Sequence, residues 1–170
     1  SSVMRSIVSP LDGIESPFGP PPEALLRRFK GAAAAYSLRD LTGTNPNVVR
    51  VRRSSDNAEK DFAAVDISDG SLVAWVGASD GFVSAWYDQS GSGNDAAQTT
   101  ASSQPKIVDA GGLVKEEGKP AVYNYIDTAS VYLDNSSLSS FGSGDFSLTS
   151  WFKTPDNGAP GRWLFFNGLS

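Results

Sequence analysis

Neither cysteine nor histidine occurs anywhere in the 170 residues. Disulfides, thiol nucleophiles, Ser-His-Asp triads and nearly all zinc sites need a sulfur or an imidazole, so those chemistries are excluded. Hydrolysis would have to rest on carboxylates or on a hard, oxygen-ligated cation. No run of about 18 apolar residues is present, so membrane insertion as a helix is not expected. The opening "SSVMRSIVSPLDGIESPFGPPP" carries too short and interrupted an apolar stretch for a secretory signal. Positive charge is scarce beyond residue 60: residues 61–170 hold five Lys/Arg against thirteen Asp/Glu, whereas residues 1–60 hold nine against six. An acidic body repels a phosphate backbone, and nucleic acid is not an expected partner.

What is present is a loop-rich composition, with 39% hydrophobic residues, 19% charged residues, 17 Gly and 10 Pro. That balance is too apolar for disorder and suits one β-rich domain with a single core. Pro10, Pro17, Pro20, Pro21 and Pro22 remove backbone donors and push their predecessors toward extended geometry. Residues 1–30 therefore read as an extended arm, with one helical turn at "PPEALLRRF". Ile7, Val8, Leu11, Ile14 and Phe18 give it an apolar side with which to dock on a partner.

From Gly31 the pattern changes. "GAAAAYSLRDL" suits a helix or a crowded buried strand equally, and "TGTNPN" after it is a turn cluster. "VVRVRRSS" alternates as a half-buried strand. "DISDGSLVAWVGASDG" predicts one short helix, capped by Asp69 or Ser71 and stopped by Gly77. "GFVSAWYD" is apolar at both alternating sets, as in a central strand covered on both faces. Further strands are predicted at "PKIVDA", "AVYNYI", "SVYLDN", "FSLTSWFKT" and "RWLFFNG". Short strands at this spacing point to an antiparallel β-sandwich or jelly roll over residues 31–170. The apolar strand at the end would need further residues or a neighbouring chain to cover its edge, so the sandwich is expected to be incomplete at the C-terminus.

The segment "WYDQSGSGNDAAQ" concentrates turn chemistry. Gly91 and Gly93 supply positive φ, while Asp88, Ser90, Asn94 and Asp95 can fold onto nearby amides as a self-bonded corner. A second reading is a calcium or glycan loop built on Asp88, Asn94 and Asp95. Counted from Asp88, oxygen side chains fall at the first, third, fifth and seventh positions and Gly93 at the sixth, as in an EF-hand. Thr99, however, stands where a bidentate Glu should close the shell, and Ala96 fills another ligand position. The structural corner is the preferred reading, with no cofactor called for.

Taken in order, "AAYSLRDL", "VVRVRRSSDNAEKDF", "GFVSAWYDQSGSGNDAAQ" and "SQPKIV" resemble the first half of a concanavalin A-like (laminin-G-like) jelly-roll domain found in tailed-bacteriophage tail fibre and virion proteins. "YDQSG-x-GN" also resembles part of the β-sandwich of fungal α-L-arabinofuranosidases. The motifs span residues 32–108; beyond that the likeness is one of strand pattern. The phage resemblance implies a virion protein on an extracellular particle, joined to other tail proteins through residues 1–30, homo-oligomeric, with a host surface glycan as a further ligand. The hydrolase resemblance implies a Glu nucleophile, but its nearest counterpart here, "FFNGLS", offers no carboxylate. Glu116 and Glu117 are neighbours in "KEEGKP", which reads as an exposed hairpin turn and not as a catalytic pair. No catalytic residue is assigned and the chain is not expected to be an enzyme.

Two smaller expectations complete the reading. Most of Tyr36, Trp75, Trp86, Tyr87, Tyr123, Tyr125, Tyr132, Trp151 and Trp163 should be core, with sugar stacking as the alternative for exposed rings. Arg52, Asp56 and Glu59 are expected to form an ion-paired strand and loop.

Overall fold

The computed structural model describes residues 24–28, 30–123 and 131–135. Most of the proposed arm and the strands expected at "FSLTSWFKT" and "RWLFFNG" lie outside the described residues. Within them the chain is mainly β, in antiparallel sheets, with a short helical layer.

Alternation of Val and Arg produces β1 (Asn47–Arg53), whose Val49 and Val51 are buried while Arg50 is exposed. β2 (Glu59–Ala63) returns antiparallel to it, and β3 (Gly81–Trp86) pairs along its other edge. The far edge of β3 is shared. Its Ala85 and Trp86 face β4 (Ala96–Ala97), and its Gly81 and Phe82 face β5 (Lys106–Asp109), which continues to β6 (Gly112–Leu113). β3 is therefore central, as its sequence implies. Bulges interrupt the β1–β2, β1–β3 and β3–β5 registers, and an unpaired residue at each bends its strand and sharpens the twist.

One face of this sheet is sealed by helices. α2 (Ala64–Ser68) and α3 (Ser71–Val76) lay Ile67, Leu72 and Val76 against Val49, Val51, Phe62, Val83 and Val108, all almost wholly buried. Gly81 makes the close approach possible. A Cβ there would stand 3.1 Å from Val108 Cβ and 3.2 Å from both Val51 Cγ1 and Val76 Cγ2.

Several expectations need correction. The single helix of "DISDGSLVAWVGASDG" is two, because Gly70 (φ 90°) breaks the run and serves as the N-cap of α3. Asp69 instead accepts from the Ser71 amide, and Asp66 accepts from the Ala63 amide at the start of α2. Gly77 ends α3 as predicted. "AAAAYSL" is neither helix nor strand but irregular backbone. "AVYNYI" and "SVYLDN" contribute, among the described residues, the single bridges Lys106–Tyr123 and Ala97–Asp134. Among the described residues, β3 is sealed on one face, with Phe82 and Ala85 partly exposed on the other.

The ion pairs are also redistributed. Arg53, not Arg52, binds Asp56 at 2.6 Å, and Arg50 binds Asp61 at 2.7 Å. Arg52 points across the sheet and donates to Gln104 and Asn57, while no ion pair to Glu59 forms among the described residues. "KEEGKP" is the expected hairpin, β7 (Lys115–Glu116) against β8 (Lys119–Pro120), with both glutamates exposed.

Candidate functional site

The glycine-rich segment after β3 builds a clamp. Gly91 (φ 88°) and Gly93 (φ 75°) turn the chain so that the side chains of residues 88–94 reach back over residues 32–41. Asp88 Oδ1 accepts from the Ala35 and Ser90 amides at 2.8 Å, and its Oδ2 accepts from Ser90 Oγ and the Asn94 amide. Gln89 is 8% exposed; its Oε1 accepts from the Leu41 amide and its Nε2 donates to the Ser37 and Arg39 carbonyls. Asn94 Nδ2 donates to the Ala33 carbonyl and Ser92 Oγ to that of Ala32. Tyr36 Oη closes the circuit by donating to the Asn94 carbonyl, and Asn135 donates to Tyr36 Oη.

Residues 32–41 thus have many of their backbone groups satisfied by side chains where a strand would use a ladder, with the Gln89 amide adding one backbone bond to the Ala35 carbonyl. Asp95 joins from the other side, accepting from the Asp88 amide. Burial would raise the pKa of Asp88, yet the bonds from Ser90, Ala35 and Asn94 outweigh it and hold the carboxyl below its ordinary value. Asp40 forms a second anchor at the end of the segment, accepting from the Thr42, Gly43 and Asn45 amides and the Thr42 hydroxyl. Desolvation opposes these bonds, but they carry its pKa down to about 2.

All the sequence-predicted loop residues are therefore brought together, and they face backbone groups. Asp88 and Asp95 present carboxylate oxygens inward to N–H and O–H donors, while Asn94 turns its Nδ2 to the Ala33 carbonyl. Among the described residues no group of three or more His, Cys, Asp or Glu side chains is placed to hold a metal ion. Gln89 is the residue that sequence reasoning missed. A glutamine inside a turn cluster reads as solvated, and only its position between the strand end and the corner hints at an inward side chain.

The second feature is the face of the sheet that the described residues leave open. Opposed residues of antiparallel strands share a face, so the registers define two rows. One runs Glu59, Arg52, Phe82, Lys106, Tyr123; the other runs Asp61, Arg50, Ala85, Ala97, Asp134. Phe82 lies between the Arg52 guanidinium at 4.8 Å and the Lys106 ammonium at 5.6 Å, and Lys106 also bridges Asp80 and Asp109. Tyr123, 53% exposed, ends the row. Tyr87 Oη donates to Asp61, so burial first and this bond second raise its pKa to about 12. The Arg50 hydrogen bonds lower that of Asp61 despite partial burial.

No family model matches the chain, and no curated protein or solved structure matches it. Among the described residues no helix is long and apolar enough to cross a membrane.

Proposed function

We propose that the chain is a non-enzymatic structural component of a tailed-bacteriophage particle, a tail fibre or related tail appendage. Its body is a concanavalin A-like jelly roll, and residues 1–30 join it to other tail proteins. The observation that carries this reading is that two of the four motifs behind the resemblance, "AAYSLRDL" and the one containing "YDQSGSGN", are the two halves of one clamp. What the sequence shares with that family is then scaffold, and a scaffold can serve many sites. Glycoside hydrolysis needs a carboxyl raised to act as an acid. The described carboxyls that shift, Asp40, Asp56, Asp61, Asp69, Asp80 and Asp88, all shift downward.

Host-glycan recognition is a second role of the same body, favoured by the exposed Tyr123 ring beside Lys106 and Phe82. The assembly reading is tested on purified particles of the source phage. A chain lacking residues 1–30 should fold, keeping the 32–41 clamp, but be absent from the particle by quantitative mass spectrometry. Its incorporation at the normal level, or glycoside turnover by the full chain that disappears with one carboxylate, sinks the proposal.

A further inference from the structure

We infer that residues 24–43 form an exchangeable strap, and that two copies of this chain assemble by fastening each other's straps. The strap coheres as a unit. α1 (Leu25–Arg28) rests on its far end through the Leu26 amide to the Leu41 carbonyl and Arg27 Nε to the Thr42 carbonyl, with Ala24 and Arg27 packed over Gly43. Its attachment to the body is the clamp: Asp88 to Ala35, Gln89 to Ser37, Arg39 and Leu41, Ser92 to Ala32, Asn94 to Ala33. Each of these bonds has one partner on the strap and the other on the 88–94 loop. A strap arriving from a second copy reproduces all of them, so the exchanged and closed forms differ chiefly at the hinge and in the concentration of copies.

The hinge favours opening. Asn45, between strap and β1, sits at φ 53° immediately before Pro46. Asn enters the left-handed region more readily than most side chains with a Cβ, but a following proline favours extended geometry at the same position and opposes it here. Two bonds hold it there, Asp40 Oδ2 from the Asn45 amide at 2.9 Å and Asn45 Oδ1 from the Val65 amide at 3.4 Å. Strain of this kind in a short hinge is relieved when the hinge extends, and extension is the step that delivers the strap to a neighbour. Exchange is therefore the form that becomes dominant as protein concentration rises, whatever ligand the body binds.

The absence of cysteine makes the test clean. Ser92 Oγ and the Ala32 carbonyl are 3.3 Å apart, so the Ala32→Cys/Ser92→Cys variant of the full chain places a thiol on each side of one clamp. Refolded at high concentration and oxidised, it should yield disulfide-linked dimers on a non-reducing gel. Adding Asn45→Gly, which accepts the left-handed backbone without strain, should lower the linked dimer by about tenfold relative to the closed monomer. Intrachain linkage alone at every concentration overturns the inference. Light scattering of the unmodified chain covers the case in which the thiols do not react. A dimer that shifts toward monomer in Asn45→Gly supports exchange, whereas a persistent monomer, or a dimer indifferent to Asn45→Gly, refutes it.

Discussion

The sheet and the strap are held by different physics. Between β1, β2, β3, β5 and the helices α2 and α3, Val49, Val51, Phe62, Ile67, Leu72, Val76, Val83 and Val108 exclude water from one another. That attraction is non-directional and proportional to area, so it tolerates exchange among side chains of similar volume. Residues 32–41 bury less and are held atom by atom, through donors and acceptors on Asp88, Gln89, Ser92 and Asn94. Directional bonds specify one arrangement and fail singly. The comparison teaches that the body can be stable while its strap remains removable, as local stabilities within one fold commonly differ.

The largest effect expected is in the core. Leu72→Ala removes a side chain with no exposed surface from the helix–sheet contact and should cost about 2–5 kcal/mol in chemical denaturation. A smaller loss would mean that α3 is not integral to the body. Gln89→Leu keeps roughly the volume but strands the Leu41 amide and the Ser37 and Arg39 carbonyls, with an expected cost of about 1–3 kcal/mol. Its location matters more than its size. In hydrogen exchange the Ala35 and Leu41 amides should lose protection while Val51 and Val83 keep theirs; equal loss at both places would erase the distinction between strap and sheet.

That distinction also explains what was legible in the sequence. β1 and β3 are readable because alternation of Val with Arg, and of Phe with Val, is a local signal of strand geometry. The helix pair was misread as one because Asp69 and Gly70 serve equally as a cap inside a run or as a break between two, and nothing local distinguishes these roles. The strap was opaque for a different reason. Its conformation is set by groups such as Asp88, 53 residues further along, so the alanines of "AAAAYSL" carry no propensity that decides it. Loop chemistry at Asp88, Ser90, Asn94 and Asp95 was visible as folding onto backbone amides. Its principal target was not, since side-chain-to-backbone pairing leaves no periodicity on the receiving segment. The open face was half legible: the charged half of β1 was apparent, whereas the rows that align Phe82, Lys106 and Tyr123 depend on bulges.

Acid should separate the two regions further. Asp40 lies at about 2 in the folded chain and Asp88 below its ordinary value. A depressed folded pKa contributes stability that is complete above the unfolded value of about 3.9 and is lost as pH falls through the folded one. The strap should therefore loosen as pH drops from about 4 toward 2, seen as faster exchange at Ala35, Thr42 and Gly43. Asp61 and Asp80 give the sheet a similar dependence, so a global unfolding curve does not isolate the effect. Asp40→Asn and Asp88→Asn should flatten the acid response at those amides alone; an unchanged response would place the strap's stability elsewhere.

The smallest expected effect lies on the open face, and it sharpens the comparison from the other side. Arg50 and Asp61 form a two-point pair, at 2.7 and 3.1 Å, with Tyr87 on the same carboxylate. The geometry is as directional as anything in the clamp, yet the side chains remain 45% and 33% exposed. Water competes for the same groups when either partner is removed, so a double-mutant cycle with Arg50→Met and Asp61→Asn should give a coupling of about 0.2–1 kcal/mol, reduced by salt. Gln89 makes neutral bonds of comparable length at 8% exposure and should exceed it. If the exposed ion pair instead proves the stronger, then network formation through Tyr87 outweighs burial here, and the ordering of sheet surface and strap must be reversed.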